Sequence, residues 1–135
     1  MTRTSFRLLL LLLPACSSSP PGSTVYPVKG QVFFQGKPAE GAVVTFHPEG
    51  NPTARVLQGV VRADGSFALT TTTAGDGAAP GKYAVCLSWT DVVVVNDVEK
   101  RTPDKFGKKY DAPGHPYTTF EVKPGTNEVP RIDLN

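Results

Sequence analysis

Few side chains in this 135-residue sequence are of the types that act as nucleophiles, bases or metal ligands, and they are dispersed along the chain. The sequence has two cysteines, Cys16 and Cys86, and two histidines, His47 and His115. A cysteine nucleophile needs a base beside it, and no sequence pattern places either histidine next to Cys86. Cys86 lies in an alternating segment, which favours a small packing residue. We therefore predict no catalytic residues, no cofactor and a protein that is not an enzyme.

Two acidic residues lie in glycine-containing loops, where carboxylates can bind Ca²⁺. These residues are Asp64 and Asp76, but the spacing of an EF-hand is absent, and an aspartate in a hairpin normally bonds its own turn. We therefore predict no metal site. An intramolecular isopeptide bond from Lys29 to Asn127 or Asn135 stays an alternative on residue type alone.

The first fifteen residues have the pattern of a short export signal, because Arg3 and Arg7 precede the apolar run Leu8 to Leu13. This run is too short to span a bilayer, which takes about 20 residues. The sequence Leu13-Pro14-Ala15-Cys16 resembles the bacterial lipobox, in which the cysteine is lipid-modified and becomes the new N-terminus. We predict a lipoprotein signal peptide at 1–15 and a lipid attachment site at Cys16. The alternative is an ordinary signal peptide with a free or disulfide-bonded cysteine.

A flexible Ser/Pro/Gly linker is predicted at residues 16–25, as a tethered domain requires a spacer. The full sequence has 14 basic and 12 acidic residues. Removal of Arg3 and Arg7 with the signal leaves 12 of each, so the formal net charge falls from +2 to about zero. A neutral chain without a basic stripe argues against nucleic-acid binding. We expect an exported protein that is lipid-anchored to the cell envelope, on the periplasmic or surface face of an outer membrane. Its expected partners are the membrane, through the lipidated N-terminus, and an unidentified envelope protein or polysaccharide.

Alternating apolar residues predict a series of short strands after the linker. The predicted strands are Tyr26 to Phe34, Gly41 to Pro48, Ala54 to Arg62, Phe67 to Thr71, Lys82 to Trp89, a short edge strand at Val92 to Val95, and C-terminal strands carrying Phe120 and Val122, then Val129, Ile132 and Leu134. The first two are expected to pair as a hairpin. The third has apolar residues on both faces, which predicts a central position in its sheet.

Two turns punctuate the middle of the chain. Asp64-Gly65 between apolar runs predicts a hairpin, and Pro80-Gly81 matches the central pair of a type II turn. Tyr83, Val85, Leu87 and Trp89 then point to one face, which we expect to be core. The segment 91–116 is the least regular part, and its interleaved charges predict a solvated loop in which any function is expected to lie.

The strand count and the absence of a helical period after the signal predict an all-β protein. We expect an antiparallel β-sandwich of about seven strands, of transthyretin-like or immunoglobulin-like type, over residues 26–135.

Several short motifs carry a family resemblance. They are Val28-Lys29-Gly30-Gln31-Val32, Gly36-Lys37-Pro38, Gly41-Ala42-Val43-Val44, Ala63-Asp64-Gly65-Ser66-Phe67, Pro80-Gly81-Lys82-Tyr83, the stretch from Asp104 to Tyr110 and the stretch from Val122 to Glu128. Their order and spacing resemble carboxypeptidase regulatory-like domains of the transthyretin-like group. More narrowly, the chain looks like a family of small bacterial lipoproteins with one such domain. The resemblance implies a non-catalytic accessory or structural module without a defined active site.

Two alternatives stay open. A hydrolase of the transthyretin-related group would end in Tyr-Arg-Gly-Ser, whereas this sequence ends in Arg131-Ile132-Asp133-Leu134-Asn135. A carbohydrate-binding module would use an aromatic strip, for which Phe33, Tyr110 and Tyr117 are the candidate ligand-binding residues.

Overall fold

A computed structural model describes residues 24–50 and 53–135 of this protein. The predicted signal peptide, the lipid attachment site Cys16 and most of the predicted linker lie outside the described residues. Within them the chain forms an all-β sandwich, as predicted, with eleven strands where about seven were expected. None of the described segments is a helix long and apolar enough to cross a membrane.

The first sheet is built around its longest strand. Its strands are β1 (Val28–Phe34), β2 (Lys37–Pro38), β5 (Ser66–Ala68), β10 (Asn127–Glu128) and β11 (Ile132–Leu134). β2 and β5 pair antiparallel with one edge of β1, and β10 and β11 pair parallel with β1. Along β1, Val28, Gly30 and Val32 are buried while Lys29 and Gln31 are exposed, so the predicted period of two is confirmed.

The second sheet is antiparallel throughout. It consists of β3 (Val43–Pro48), β4 (Leu57–Val60), β6 (Gly81–Ser88) and β9 (Thr118–Val122), in the spatial order β4-β3-β6-β9. A separate two-stranded ribbon is formed by β7 (Val92–Val95) and β8 (Val98–Arg101). The short edge strand predicted at Val92 to Val95 is therefore present.

Inward-facing side chains of both sheets form one hydrophobic core. Its largest fully buried members are Phe46, Phe67, Leu69, Leu87, Ile132, Val28, Val32, Val44, Val61, Val85 and Val122. Cys86 is also buried but lies outside this cluster, on the other face of β6. Tyr83, Val85 and Leu87 are buried as predicted, and Trp89 is packed at the edge of the core. Burial of each such side chain contributes about 1.5–3 kcal/mol against exposure, so this core is the main stabilising feature.

Three details of the predicted topology are wrong. β3 is not the hairpin partner of β1, because the turn at Gln35-Gly36 returns the chain only as far as Pro38 before it crosses to the other sheet. β4 lies at a sheet edge rather than in the centre, and Val60 on its outward face is 60% exposed. The sandwich is not purely antiparallel, since β10 and β11 run parallel to β1.

The Asp64-Gly65 turn is present but joins strands of different sheets, whereas Pro80-Gly81 is not the predicted type II turn, because Gly81 has a φ of +148° and begins β6. The amide of Gly65 donates to the Arg62 carbonyl at 2.9 Å, and the φ of Gly65 is +89°. β4 precedes this turn and belongs to the second sheet, whereas β5 follows the turn and pairs with β1 in the first sheet. The Asp-Gly turn therefore acts as a corner of the sandwich.

Candidate functional site

The segment between Trp89 and Thr118 contains the largest departure from a plain sandwich, the ribbon of β7 and β8. All eight of its strand residues are exposed. The described chain has seven exposed large hydrophobic residues, and the five in the ribbon are Val92 (57%), Val93 (41%), Val94 (67%), Val95 (43%) and Val98 (55%). We call Val92–Arg101 the valine ribbon. Contiguous exposed apolar residues typically mark a contact surface.

The tip of the valine ribbon is a tight turn of two residues. Asn96 and Asp97 have φ values of +52° and +61°, the left-handed conformation that a type I′ hairpin turn requires at both positions. Val95 and Val98 close the turn as a cross-strand pair. Sequence reasoning missed β8, although Asn96-Asp97 between valines is a signal for such a turn, weaker than Asn-Gly because aspartate only tolerates positive φ.

The base of the valine ribbon is fixed to the sandwich by hydrogen bonds and an ion pair. The Thr102 amide donates to the Asp91 carbonyl at 2.8 Å, and the Asp91 amide donates to Thr102 Oγ1 at 2.8 Å. Lys105 Nζ lies 2.8 Å from Asp91 Oδ2. The same ammonium group stands 4.2 Å above the ring centroid of Trp89. These contacts place the ribbon in one orientation at its root.

Asp104 organises the loop beneath this base. Its Oδ1 accepts from the amides of Trp89 (2.8 Å) and Phe106 (3.0 Å), and its Oδ2 accepts from the Lys108 amide (3.1 Å). Phe106 is thereby held in a cluster with Trp89 and Phe34, with ring centroids 5.5–5.9 Å apart. The predicted solvated loop is thus an ordered platform for the ribbon.

The structure brings together two of the three predicted ligand-binding aromatic residues. Tyr110 and Tyr117 meet edge to face with ring centroids 5.3 Å apart, and both pack against the core. Phe33 lies on the outward face of β1, beneath the guanidinium of Arg131, whose Cζ is 3.8 Å from the ring centroid. The three rings therefore form no common strip. Arg131 covers the outer face of the Phe33 ring, which is the face that a sugar would stack on.

A groove of about 810 Å³ runs over the outer face of the first sheet, beside Phe33. Its charged lining residues are Lys29, Arg62, Glu128 and Arg131. Opposite charges stand close to these cations, because Lys29 is the register partner of Glu128 and Arg131 Nε lies 3.1 Å from Asp133 Oδ1. The lining therefore carries three cations and one anion, and the carboxylates of Glu128 and Asp133 offset two of the three cations.

The candidate catalytic side chains do not converge. Cys86 is buried, and burial, followed by the negative charge of Asp111, raises the pKa of its thiol, which opposes the thiolate form. His47 lines a separate cleft of about 400 Å³ on the outer face of the second sheet. His115 Nδ1 is 3.0 Å from the Lys109 carbonyl oxygen. His47 is a diagonal neighbour of Cys86 in the register of β3 and β6, and His115 Nε2 lies 3.7 Å from Asp111 Oδ1. Among the described residues no hydrogen bond joins either histidine to Cys86.

Asp64 and Asp76 are both engaged by their own loops. Asp76 accepts from the amides of Thr71 (2.6 Å), Thr72 (3.0 Å) and Thr73 (3.0 Å), and these bonds lower the pKa of its carboxyl. The Ser66 hydroxyl and amide bond Asp64 and lower its pKa in the same way. Within residues 24–50 and 53–135 no three His, Cys, Asp or Glu side chains are grouped as metal ligands.

The geometry also excludes an isopeptide bond between Lys29 and Asn127. Val28 and Asn127 are paired across β1 and β10 and are buried, whereas Lys29 and Glu128 share the exposed face. The Asn127 amide nitrogen already donates to the carbonyls of Lys123 (2.8 Å) and Gly125 (3.2 Å). Asn127 therefore braces the Pro124-Gly125 turn.

Comparisons with known proteins add to the description of the fold. No protein-family model matches the sequence, and no curated protein matches it. A DUF3823 family protein from Parabacteroides merdae ATCC 43184 is similar in structure, with a TM-score of 0.45 and 18% identity over 84% of this chain and 47% of that one. A 9R-lipoxygenase from Cyanothece PCC8801 has a TM-score of 0.43 and 12% identity over 82% of this chain and 16% of that one.

This chain thus spans about half of the first protein's length, at 47%, and 16% of the second. Likeness at this level carries no argument about activity. The fold and the site together define a β-sandwich module with an ordered platform and a projecting apolar ribbon.

Proposed function

We propose that this protein is a lipid-anchored, non-catalytic binding or structural module of the bacterial cell envelope, which contacts its partner through the valine ribbon. The observation that carries the proposal is the exposure of five valines on one ribbon whose base is held rigidly. The lipobox at Leu13 to Cys16 and the polar linker support anchoring. The resemblance to carboxypeptidase regulatory-like domains of small lipoproteins supports an accessory role.

The valine ribbon combines exposed apolar side chains with a fixed base. Removing an exposed valine from water contributes about 25 cal/mol for each Å² of apolar surface buried. Several valines on one rigid element deliver this energy without a large cost of ordering, because the Asp91, Thr102 and Lys105 contacts already fix the root. The ribbon carries two acidic and two basic residues, Asp97, Glu99, Lys100 and Arg101, so it favours an electrically balanced partner.

Anchoring is tested by replacing the proposed lipid attachment residue. The parent chain and Cys16→Ala are expressed in a bacterium fed a labelled fatty acid, and the membrane fraction is separated from soluble material. We expect label and membrane retention for the parent alone. Equal retention of both proteins, without label, would contradict anchoring at Cys16.

Binding is tested by affinity capture of the lipidated protein from its native envelope, with mass spectrometry of the co-purified components. The parent is compared with Val94→Lys, which alters an exposed valine, and with Val60→Lys as a matched control on β4. We expect Val94→Lys to reduce capture and Val60→Lys to leave it unchanged. Equal loss in both variants would remove the ribbon from the proposal, and reproducible turnover of envelope polymers or small esters would contradict the non-catalytic role.

A further inference from the structure

The valine ribbon has two free edges that differ in chemistry. In the described chain, β7 and β8 pair only with each other, so the outer edge of each presents unpaired backbone groups. β8 carries Glu99, Lys100 and Arg101, charges that proteins use to block edge pairing. β7 is Val92–Val95, with no charge and no proline. We propose that β7 pairs edge to edge with β7 of a second copy of this chain, around a two-fold axis at Val93. This inference rests on the proposed function and names the partner of the ribbon.

The register of the ribbon determines which backbone groups are free. The turn-closing pair Val95↔Val98 of a two-residue hairpin exchanges hydrogen bonds, and in an antiparallel ladder every second pair does so. The bond from the Thr102 amide to the Asp91 carbonyl has the same phase. The amides and carbonyls of Val93 and Val95 therefore face β8, and those of Val92 and Val94 face outward.

A two-fold axis at Val93 uses these outward groups fully. It places Val92 of one copy opposite Val94 of the other and Val94 opposite Val92, so two hydrogen-bonded pairs form around a Val93–Val93 contact. Val92, Val93 and Val94 then each stand opposite a valine, which suits β-branched side chains, and Val95 stands opposite Asp91. The four strands form one continuous sheet, with β8 of each copy at its edges.

Charge selects this register over the next one that the backbone permits. An axis at Val94 would also align outward-facing groups, but it would place Asp91 of each copy opposite Asp97 of the other. Two such like-charge pairs are destabilising. An axis at Val93 instead places Asp91 opposite Val95. Charge likewise disfavours pairing of β8 with β8 of a second copy. Glu99 of one copy stands opposite Arg101 of the other only in the register that also places Lys100 opposite Lys100, which is a like-charge pair.

The same features argue against membrane insertion of the ribbon. Its tip carries Asn96 and Asp97, which would enter the bilayer first, and burial of an ionised carboxylate is costly. The four charged residues of the ribbon sum to zero, so anionic lipid provides no net attraction. Anchoring of both copies in one membrane, part of the proposed function, would raise their effective concentration for pairing.

The test is cysteine cross-linking of the full-length chain in membranes, in a Cys86→Ala background. Opposed residues in a pair without backbone bonds have Cα atoms about 4.5 Å apart, within disulfide range. Val93→Cys is expected to give a covalent dimer on mild oxidation. Val98→Cys, an exposed valine on the same face, would lie at least three strand spacings, or ~14 Å, from its counterpart and is expected to stay monomeric. We expect at least about tenfold more dimer for Val93→Cys, as the distance limit on disulfides implies.

A charge pair gives an independent measurement. Val93→Lys alone and Val93→Glu alone each place like charges across the two-fold axis. Because like unit charges close together near a protein surface repel each other, each variant is expected to weaken self-association about tenfold. Mixing the two variants is expected to restore association as a heterodimer.

Cross-linking of both cysteine variants alike, or of neither, would overturn the inference, as would a mixture that associates no better than its components. A cross-link from Val93→Cys to a different envelope protein would also overturn it. In that last case the proposed function would stand with another partner. If ribbon variants such as Val94→Lys capture envelope components as efficiently as the parent does, the proposed function itself would be refuted.

Discussion

The packing around Gly30 gives the most direct test of the sandwich core. A Cβ added at Gly30 would lie 2.6 Å from Cε1 and Cζ of Phe67 and 3.1 Å from the Cβ of Val129. Carbon atoms pack at about 3.5–4.0 Å, so the Phe67 ring would have to move by about 1 Å. Phe67 is 1% exposed and joins β5 to the core beneath β1. Gly30→Ala is therefore expected to destabilise the fold although it adds a single methyl group.

The magnitude follows from two opposing effects. Overpacking of a well-packed core costs about 1–3 kcal/mol, and replacing glycine by alanine stabilises by about 0.4–1 kcal/mol through the unfolded chain. We expect a net loss of about 1–2 kcal/mol in the free energy of unfolding, measured by urea denaturation followed by tryptophan fluorescence. At about 4–8 °C for each kcal/mol, the melting temperature falls by roughly 5–15 °C.

Two variants complete this experiment. Gly114→Ala is the matched control, because Gly114 has no positive φ and nothing within 4 Å of the added atom, so it should be neutral or stabilising. Phe67→Leu deletes the two clashing ring atoms, so the double variant Gly30→Ala with Phe67→Leu should be less destabilised than the sum of the two, by about 1 kcal/mol. Equal stability of Gly30→Ala and Gly114→Ala, or strict additivity in the double variant, would refute the reasoning.

Three further predictions concern polar and sulfur groups. Hydrogen bonds from the Thr71, Thr73 and Thr72 amides lower the pKa of Asp76 below its ordinary 3.8, so this carboxylate stabilises the fold above that pH and loses the contribution as pH falls through its folded pKa. Asp76→Asn should lower the urea midpoint at pH 7, and the difference from the parent should shrink as the pH is lowered below 3.8. A difference that persists at low pH would contradict this. Burial raises the pKa of the Cys86 thiol, so a thiol reagent at pH 8 should label it only after unfolding, and rapid labelling of the native chain would show an exposed sulfur. Asn127→Ala leaves the carbonyls of Lys123 and Gly125 without their donor and should lower the free energy of unfolding by about 1–3 kcal/mol, measured by urea denaturation; an unchanged urea midpoint would contradict this.

Local patterning was sufficient to predict most strands but not their partners. The alternation in β1 and the buried positions of Val122, Ile132 and Leu134 are correct, because each depends only on the period of two. In β6 the predicted inward residues are buried, but Ala84 and Cys86 on the other face are buried as well. The pairing of β3 depends on where the chain crosses between sheets. Pro38 ends the short return strand, and nothing in the alternation of β3 itself distinguishes pairing with β1 from pairing with β6.

The candidate site lies in the segment 91–116 to which the sequence pointed, but the sequence predicted a solvated loop there and not a two-stranded ribbon. The charges of Glu99, Lys100 and Arg101 leave β8 without an alternating apolar pattern, so its sequence does not distinguish this exposed strand from a loop. The grouping of Tyr110 with Tyr117, without Phe33, depends on which face of each strand is covered by the returning chain. That information is held in bonds between distant residues, such as the Leu87 amide to the Tyr110 carbonyl at 2.7 Å, and not in local periodicity.

The parallel pairing of β1 with β10 and β11 bears on the order in which the fold assembles. Val28 is paired with Asn127, a separation of 99 positions (127 minus 28), and Val32 is paired with Ile132. Because β1 is the centre of its sheet, that sheet cannot be completed until the last residues of this chain have been synthesised. Such long loop closures slow folding. A nascent chain that lacks residues 127–134 should therefore remain unfolded and accessible to proteases, and truncation at residue 126 should abolish the cooperative transition rather than shorten the domain.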